Sequence, residues 1–169
     1  MDIKRILSLS LDTSSRAYSQ QRIPSELDAA LIELVDAFRR GNPMSRFLIK
    51  RRLSDQHSAI LWAFSERMAS LAVRERSKER VVQGLTGLVL EGCKEDWRDC
   101  IIRLAPLYDA AVKVGAPPDE LFREAASYAG GEARKLLLEY PKRTPENLSI
   151  EAMGYSEGET EDGFRYIHK

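Results

Sequence analysis

In a chain of 169 residues, 26 basic side chains are balanced by 26 acidic ones. The absent net charge argues against a bulk polyanion binder, and no apolar run approaches the ~20 residues a membrane-spanning helix needs. With 43% hydrophobic residues, one domain of this size buries enough surface to fold without disulfides or metals.

The first eleven residues carry two bases and a short apolar stretch. Leu7, Leu9 and Leu11 alternate like a strand, while Ile3, Ile6 and Leu7 fit a helix. Asp2 and Asp12 flank this stretch and no small-x-small cleavage site follows, so a cytoplasmic protein is expected. Residues 12–22 are polar and aperiodic and read as a linker, giving an N-terminal segment over 1–23.

Residues 24–141 read as a helical domain. Ser25 and Asp28 form a capping-box pattern, and Leu27, Leu31, Leu34, Val35 and Phe38 recur at helical spacing. Gly41 is placed as the C′ glycine after Arg39-Arg40. Asn42-Pro43 restarts a short helix, with Phe47, Leu48 and Leu53 assigned to its inner face. Ser54-Asp55 caps a longer helix striped by Ile60, Leu61, Phe64, Met68, Leu71 and Ala72. After a break near Ser77, Val81 to Leu90 are apolar nearly all round, which marks the central helix. Gly84 and Gly87 each cost about 1 kcal/mol relative to alanine in a helix interior, so a neighbour is expected to pack very close there. Gly92 is read as its end. Trp97, Ile101, Leu104, Tyr108, Ala111 and Val112 continue the pattern to Gly115, with Pro106 expected to kink or split the helix. Pro117-Pro118-Asp119-Glu120 opens the next helix, and Gly130-Gly131 separates it from a last one ending near Tyr140.

Over residues 142–169 a short helix opening at Thr144-Pro145-Glu146 and an acidic, glycine-rich tail are expected. From Pro145 onward six acids face two bases. The fold class is therefore all-α: an antiparallel helical bundle or short stack of helix pairs, about seven helices, with flexible or extended termini.

Chemistry-bearing patterns are sparse. His57 and His168 are the only histidines, and no H-x-x-H, H-E-x-x-H, C-x-x-C, G-x-S-x-G or phosphate-loop spacing occurs. Neither catalytic residue nor metal nor cofactor is assigned. Cys93 and Cys100, seven apart, lie roughly 10 Å apart along one helix face, too far for a disulfide. The strongest charge signal is Arg39, Arg40, Arg46, Lys50, Arg51 and Arg52, with no acid between Ala37 and Ser54. A solvated or salt-bridged face is the plain reading; a nucleic-acid patch is the functional one. Glu95, Asp96, Trp97 and Asp99 form an acidic helix start. Trp97 is in phase with Ile101 and Leu104, which favours burial over an exposed interface anchor. The acidic tail is complementary to the basic segment, and the two are expected to meet within one chain or between copies.

The string Glu95-Asp96-Trp97-Arg98-Asp99, followed by Leu104-Ala105-Pro106-Leu107-Tyr108-Asp109-Ala110-Ala111 and a closing Gly115, resembles small uncharacterised bacterial proteins built from paired helices. The resemblance spans residues 54–128. It implies HEAT-like helix pairs, is similar in style to helical immunity proteins of bacterial toxin systems, and transfers no activity. The expected function is a non-enzymatic bacterial interaction module, an immunity or accessory protein being a special case. Its partner is another protein or a second copy; the alternative is nucleic-acid association through residues 39–52.

Overall fold

Ser25 begins the first long helix as its sequence requires. Its hydroxyl accepts from the Asp28 backbone N–H at 3.3 Å, and the Asp28 carboxylate accepts from the Ser25 N–H at 2.9 Å. The computed structural model describes residues 2–12, 15–21, 25–53, 55–91, 97–142, 156–159 and 165–168, with the backbone alone for 11, 12, 15, 55, 56, 97–101 and the last two segments.

Among the described residues there are nine α-helices: α1 (Ile3–Asp12), α2 (Ser15–Gln20), α3 (Glu26–Arg40), α4 (Pro43–Arg52), α5 (Asp55–Glu75), α6 (Lys78–Glu91), α7 (Trp97–Lys113), α8 (Pro118–Ala126) and α9 (Gly131–Glu139). A 3-10 turn, Tyr140–Lys142, closes the series. The all-α class is as expected. Two short strands are additional, β1 (Ser156–Glu159) and β2 (Arg165–His168), paired antiparallel with Glu157 opposite Ile167 and Gly158 opposite Tyr166. Part of the segment read as a solvated tail is thus a β-ribbon. The short helix expected from Thr144 lies outside the described residues.

The N-terminal ambiguity resolves as helix. Ile6 is buried, and Ser10, also buried, returns its hydroxyl to the Ile6 carbonyl at 2.8 Å. The stretch read as a linker contains α2, whose Tyr18 is completely buried. A lone aromatic in a polar run has no periodicity to reveal it. Both helices join the same core as α3 to α9.

Helix α6 is the centre: every residue from Val81 to Leu90 is buried, and it packs on α5 above all, then on α8, α7 and α3. The close approach expected at its glycines is present. A Cβ on Gly84 would lie 2.6 Å from Leu107 Cδ2 and 3.1 Å from Met68 Cβ; one on Gly87 would lie 2.8 Å from the Phe64 ring. Ser65 ties the pair, its one hydroxyl proton shared between the carbonyls of Gly84 (2.9 Å) and Leu61 (3.1 Å). The α5–α6 connection is only Arg76 and Ser77. Arg76 takes φ 52°, and the Ser77 N–H returns to the Ala72 carbonyl at 2.9 Å, a Schellman closure with arginine where glycine is usual. Gly115, φ 75°, closes α7 in the same way through Ala116 N–H to Ala111 O at 3.0 Å.

One of the two outcomes expected at Pro106 is excluded, and the reading of the α3 end needs correction. Pro106 does not split α7, which runs through it as one helix. Ile102, whose carbonyl loses its donor, and Pro106 are both exposed, so that face is open to water. Gly41 ends α3 in an extended conformation (φ −73°), not a left-handed one. A Cβ there would lie 2.3 Å from Ser45 Oγ, because α4 starts immediately, and a larger residue would have to turn that hydroxyl aside.

Candidate interaction surface

The basic segment divides into two parts with different roles. Arg39 is built into the body. Its guanidinium pairs with Asp36 at 3.2 Å, with Glu124 at 2.9 Å and with Glu79, while Tyr128 lies under it at 6.0 Å. Burial works against its charge, but these acidic partners outweigh it and hold the pKa above the ordinary arginine value. Arg46 turns back to donate to the last carbonyls of α3, Nε to Phe38 O at 3.0 Å and Nη2 to Arg39 O at 2.9 Å, and stacks on Tyr128 at 4.9 Å. It caps a helix end that has orphan carbonyls by construction.

Arg40, Lys50, Arg51 and Arg52 are exposed, and among the described residues none of them takes part in an ion pair. Partial desolvation lowers the Lys50 pKa from its ordinary value. Arg40 also borders a groove with Asp36, Arg39, Glu79 and Tyr128, so its surroundings are of mixed sign.

The side chains beside these bases are the unexpected part. Phe47 and Leu48 were assigned to the inner face of α4, and the structure reverses that. Met44 is 66% exposed, Phe47 57% and Leu48 48%, while Ile49 is 7% exposed. Successive helical residues rotate by about 100°, so Met44, Phe47, Leu48 and Arg51 fall on one stripe. Ile49, Arg46 and Leu53 fall on the opposite side, and that side has the single buried position of α4. Periodicity finds such a stripe but not its direction; the side turned to the core carries Ile49 and the partly buried Leu53. Helix α4 touches the body chiefly through α3. Burying what remains exposed of the three apolar side chains is worth roughly 1–2 kcal/mol each.

Glu95 and Asp96 lie outside the described residues, as does Cys93. Trp97, Asp99 and Cys100 lie in the first turn of α7, described at backbone level. The aromatic anchor that sequence reasoning passed over is Trp62 on α5, 39% exposed, with the Arg103 guanidinium 3.3 Å from its ring centroid and the Arg103–Glu91 ion pair behind it.

A buried charge cluster was also missed. Tyr18 Oη donates to Asp28 Oδ1 at 2.6 Å, Arg67 Nε donates to the same oxygen at 2.7 Å, and Arg67 Nη2 donates to Oδ2. Arg67 Nη1 reaches the carbonyls of Tyr18 (3.2 Å) and Gln21 (2.6 Å). Burial alone would raise the Asp28 pKa; Arg67, Tyr18 and the Ser25 N–H overcome it and hold the carboxyl below its ordinary value. Burial, then the Asp28 carboxylate, push the Tyr18 hydroxyl far above its own. With four donors on Asp28, no acceptor site is left for a substrate. The cluster clamps α2, α3 and α5 together. Among the described residues no three His, Cys, Asp or Glu side chains gather as a metal site, and no helix is long and apolar enough to cross a membrane.

No protein-family model, curated protein or solved structure matches the chain.

Proposed function

We propose that this chain is a non-enzymatic interaction module that docks another protein through the outward face of α4. The observation that carries the reading is the exposed stripe Met44–Phe47–Leu48 continued by Arg51 and flanked by Lys50 and Arg52. Apolar side chains of this size on one helix face, rimmed by charge, are the composition of an interface core and rim. The reading extends to a bacterial cytoplasmic setting, with an accessory or immunity role as a special case. A toxin gene adjacent in the genome would support that role.

A photo-crosslinking residue at Phe47, with Lys135 on the exposed face of α9 as control, tests docking in native cells. One adduct of defined mass from position 47 alone is expected; adducts from neither position contradict it. The second reading is nucleic-acid association, favoured by Arg40, Lys50, Arg51 and Arg52, which pair with no acid among the described residues. Retention on heparin that falls steeply with salt, and is lost when Arg40, Lys50, Arg51 and Arg52 become glutamate, would favour it.

A further inference from the structure

We infer that the occupant of the α4 face is an acidic amphipathic helix of a second protein. The inference rests on the docking reading above and adds the chemistry of the partner.

The argument starts from geometry. Helix α4 has 10 residues and is about 15 Å long at 1.5 Å per residue. Its outward stripe is Met44 at one end, Phe47 and Leu48 a turn further, and Arg51 beyond them, with Lys50 and Arg52 to either side. Apolar contact is thus offered over the first two turns and positive charge over the last. An element of similar length matches this when it carries two or three apolar side chains at helical spacing and carboxylates one turn away. A strand would present its apolar residues on a period of two and miss the offsets of three and four.

Charge then separates the candidates. A second copy laid on the same face would bring Lys50, Arg51 and Arg52 of both chains into one small interface. There is no acid on α4 to answer them, and like charges across an interface select against a partner. An anionic bilayer or a nucleic acid satisfies the bases. A duplex leaves Phe47 and Leu48 without an apolar counterpart. A bilayer asks for a longer apolar face than three side chains followed by an arginine. A helix with both leucines and glutamates satisfies both halves of the stripe. Met44 also suits such a partner, since an unbranched thioether adapts to varied apolar shapes.

The experiment uses the full chain and four synthetic helical probes of about 18 residues. The first carries a leucine stripe flanked by glutamate. The second has lysine in place of glutamate, the third alanine in place of leucine, and the fourth is the α4 sequence itself. Anisotropy titration is expected to show saturable binding of the first probe, weakened at least about tenfold in the second and third. Binding should weaken several-fold as ionic strength rises past about 0.3 M. Phe47→Ser should lose the first probe while leaving the far-ultraviolet spectrum unchanged. The triple change Lys50→Glu, Arg51→Glu and Arg52→Glu should exchange preference from the glutamate probe to the lysine probe. Equal binding of the first two probes, no binding of the first, preferred binding of the α4 probe, or tighter binding to phosphatidylserine vesicles or duplex DNA overturns the inference. The two readings fail separately. A crosslink from Phe47 to a protein contact without an acidic helix removes this inference and leaves docking standing; no crosslink at Phe47 removes docking itself.

Discussion

Arg67 shows how much one side chain organises here. It holds Asp28, Tyr18 and Gln21 at once, and removing it leaves a carboxylate buried without its counter-charge. Arg67→Ala should therefore destabilise the fold by about 3–5 kcal/mol, read from the urea midpoint. Tyr18→Phe removes one hydrogen bond to a charged group and should cost about 1.5–3 kcal/mol. The pH dependence has a definite sign. Asp28 has its pKa lowered in the folded protein, so its contribution is present above the ordinary aspartate value, near 4, and is lost as pH falls through the folded value. Asp28→Asn should flatten the acid side of the stability curve while lowering stability at neutral pH. An acid limb as steep as the parent's would contradict the cluster. None of this was legible beforehand. Asp28 was recognised only as a helix cap, and its partners stand 10 and 39 residues away, a separation that no local pattern encodes.

At the scale of the element, α6 and α4 are opposite cases. Helix α6 announced itself, because an apolar run interrupted by two glycines has few uses besides a buried helix with a close neighbour. Gly84→Ala gains about 1 kcal/mol of helix propensity but forces a methyl against Leu107 and Met68, both fully buried. Net destabilisation of about 1–2 kcal/mol is expected from overpacking. Gly130→Ala, in open space with φ −131°, is the control and should be near neutral. Helix α4 misled, because residue type and spacing say that a stripe exists, not which way it turns. Only the packing of Ile49 on the body decides that. Ile49→Ala should cost about 2–4 kcal/mol, whereas Phe47→Ser should stay within about 0.5 kcal/mol in the isolated chain. A loss of stability at Phe47 matching that at Ile49 would place the helix the other way round.

For the whole molecule, the all-helical plan was legible because stripes such as Leu27–Leu31–Leu34–Phe38 repeat locally and the breakers between them are strong. Less legible was how charge is distributed between body and surface. Arg39 and Arg46 were read with Arg40, Lys50, Arg51 and Arg52 as one basic segment, yet the first two brace the fold and the last four face solvent. Arg39 is held by Glu79 and Glu124, 40 and 85 residues away, contacts that only the assembled α3, α6 and α8 create. The result is a body braced by ion pairs such as those of Arg39 with Glu79 and Glu124, with the outward face of α4 apolar and basic. Hydroxyl-radical footprinting of the purified chain and of the native extract tests that claim most directly. Met44 and Phe47 should be modified rapidly in the purified protein while Met68 is spared, and both should become protected in the extract. Protection of Met44 and Phe47 in the purified chain, or equal modification in both samples, would contradict an open docking face.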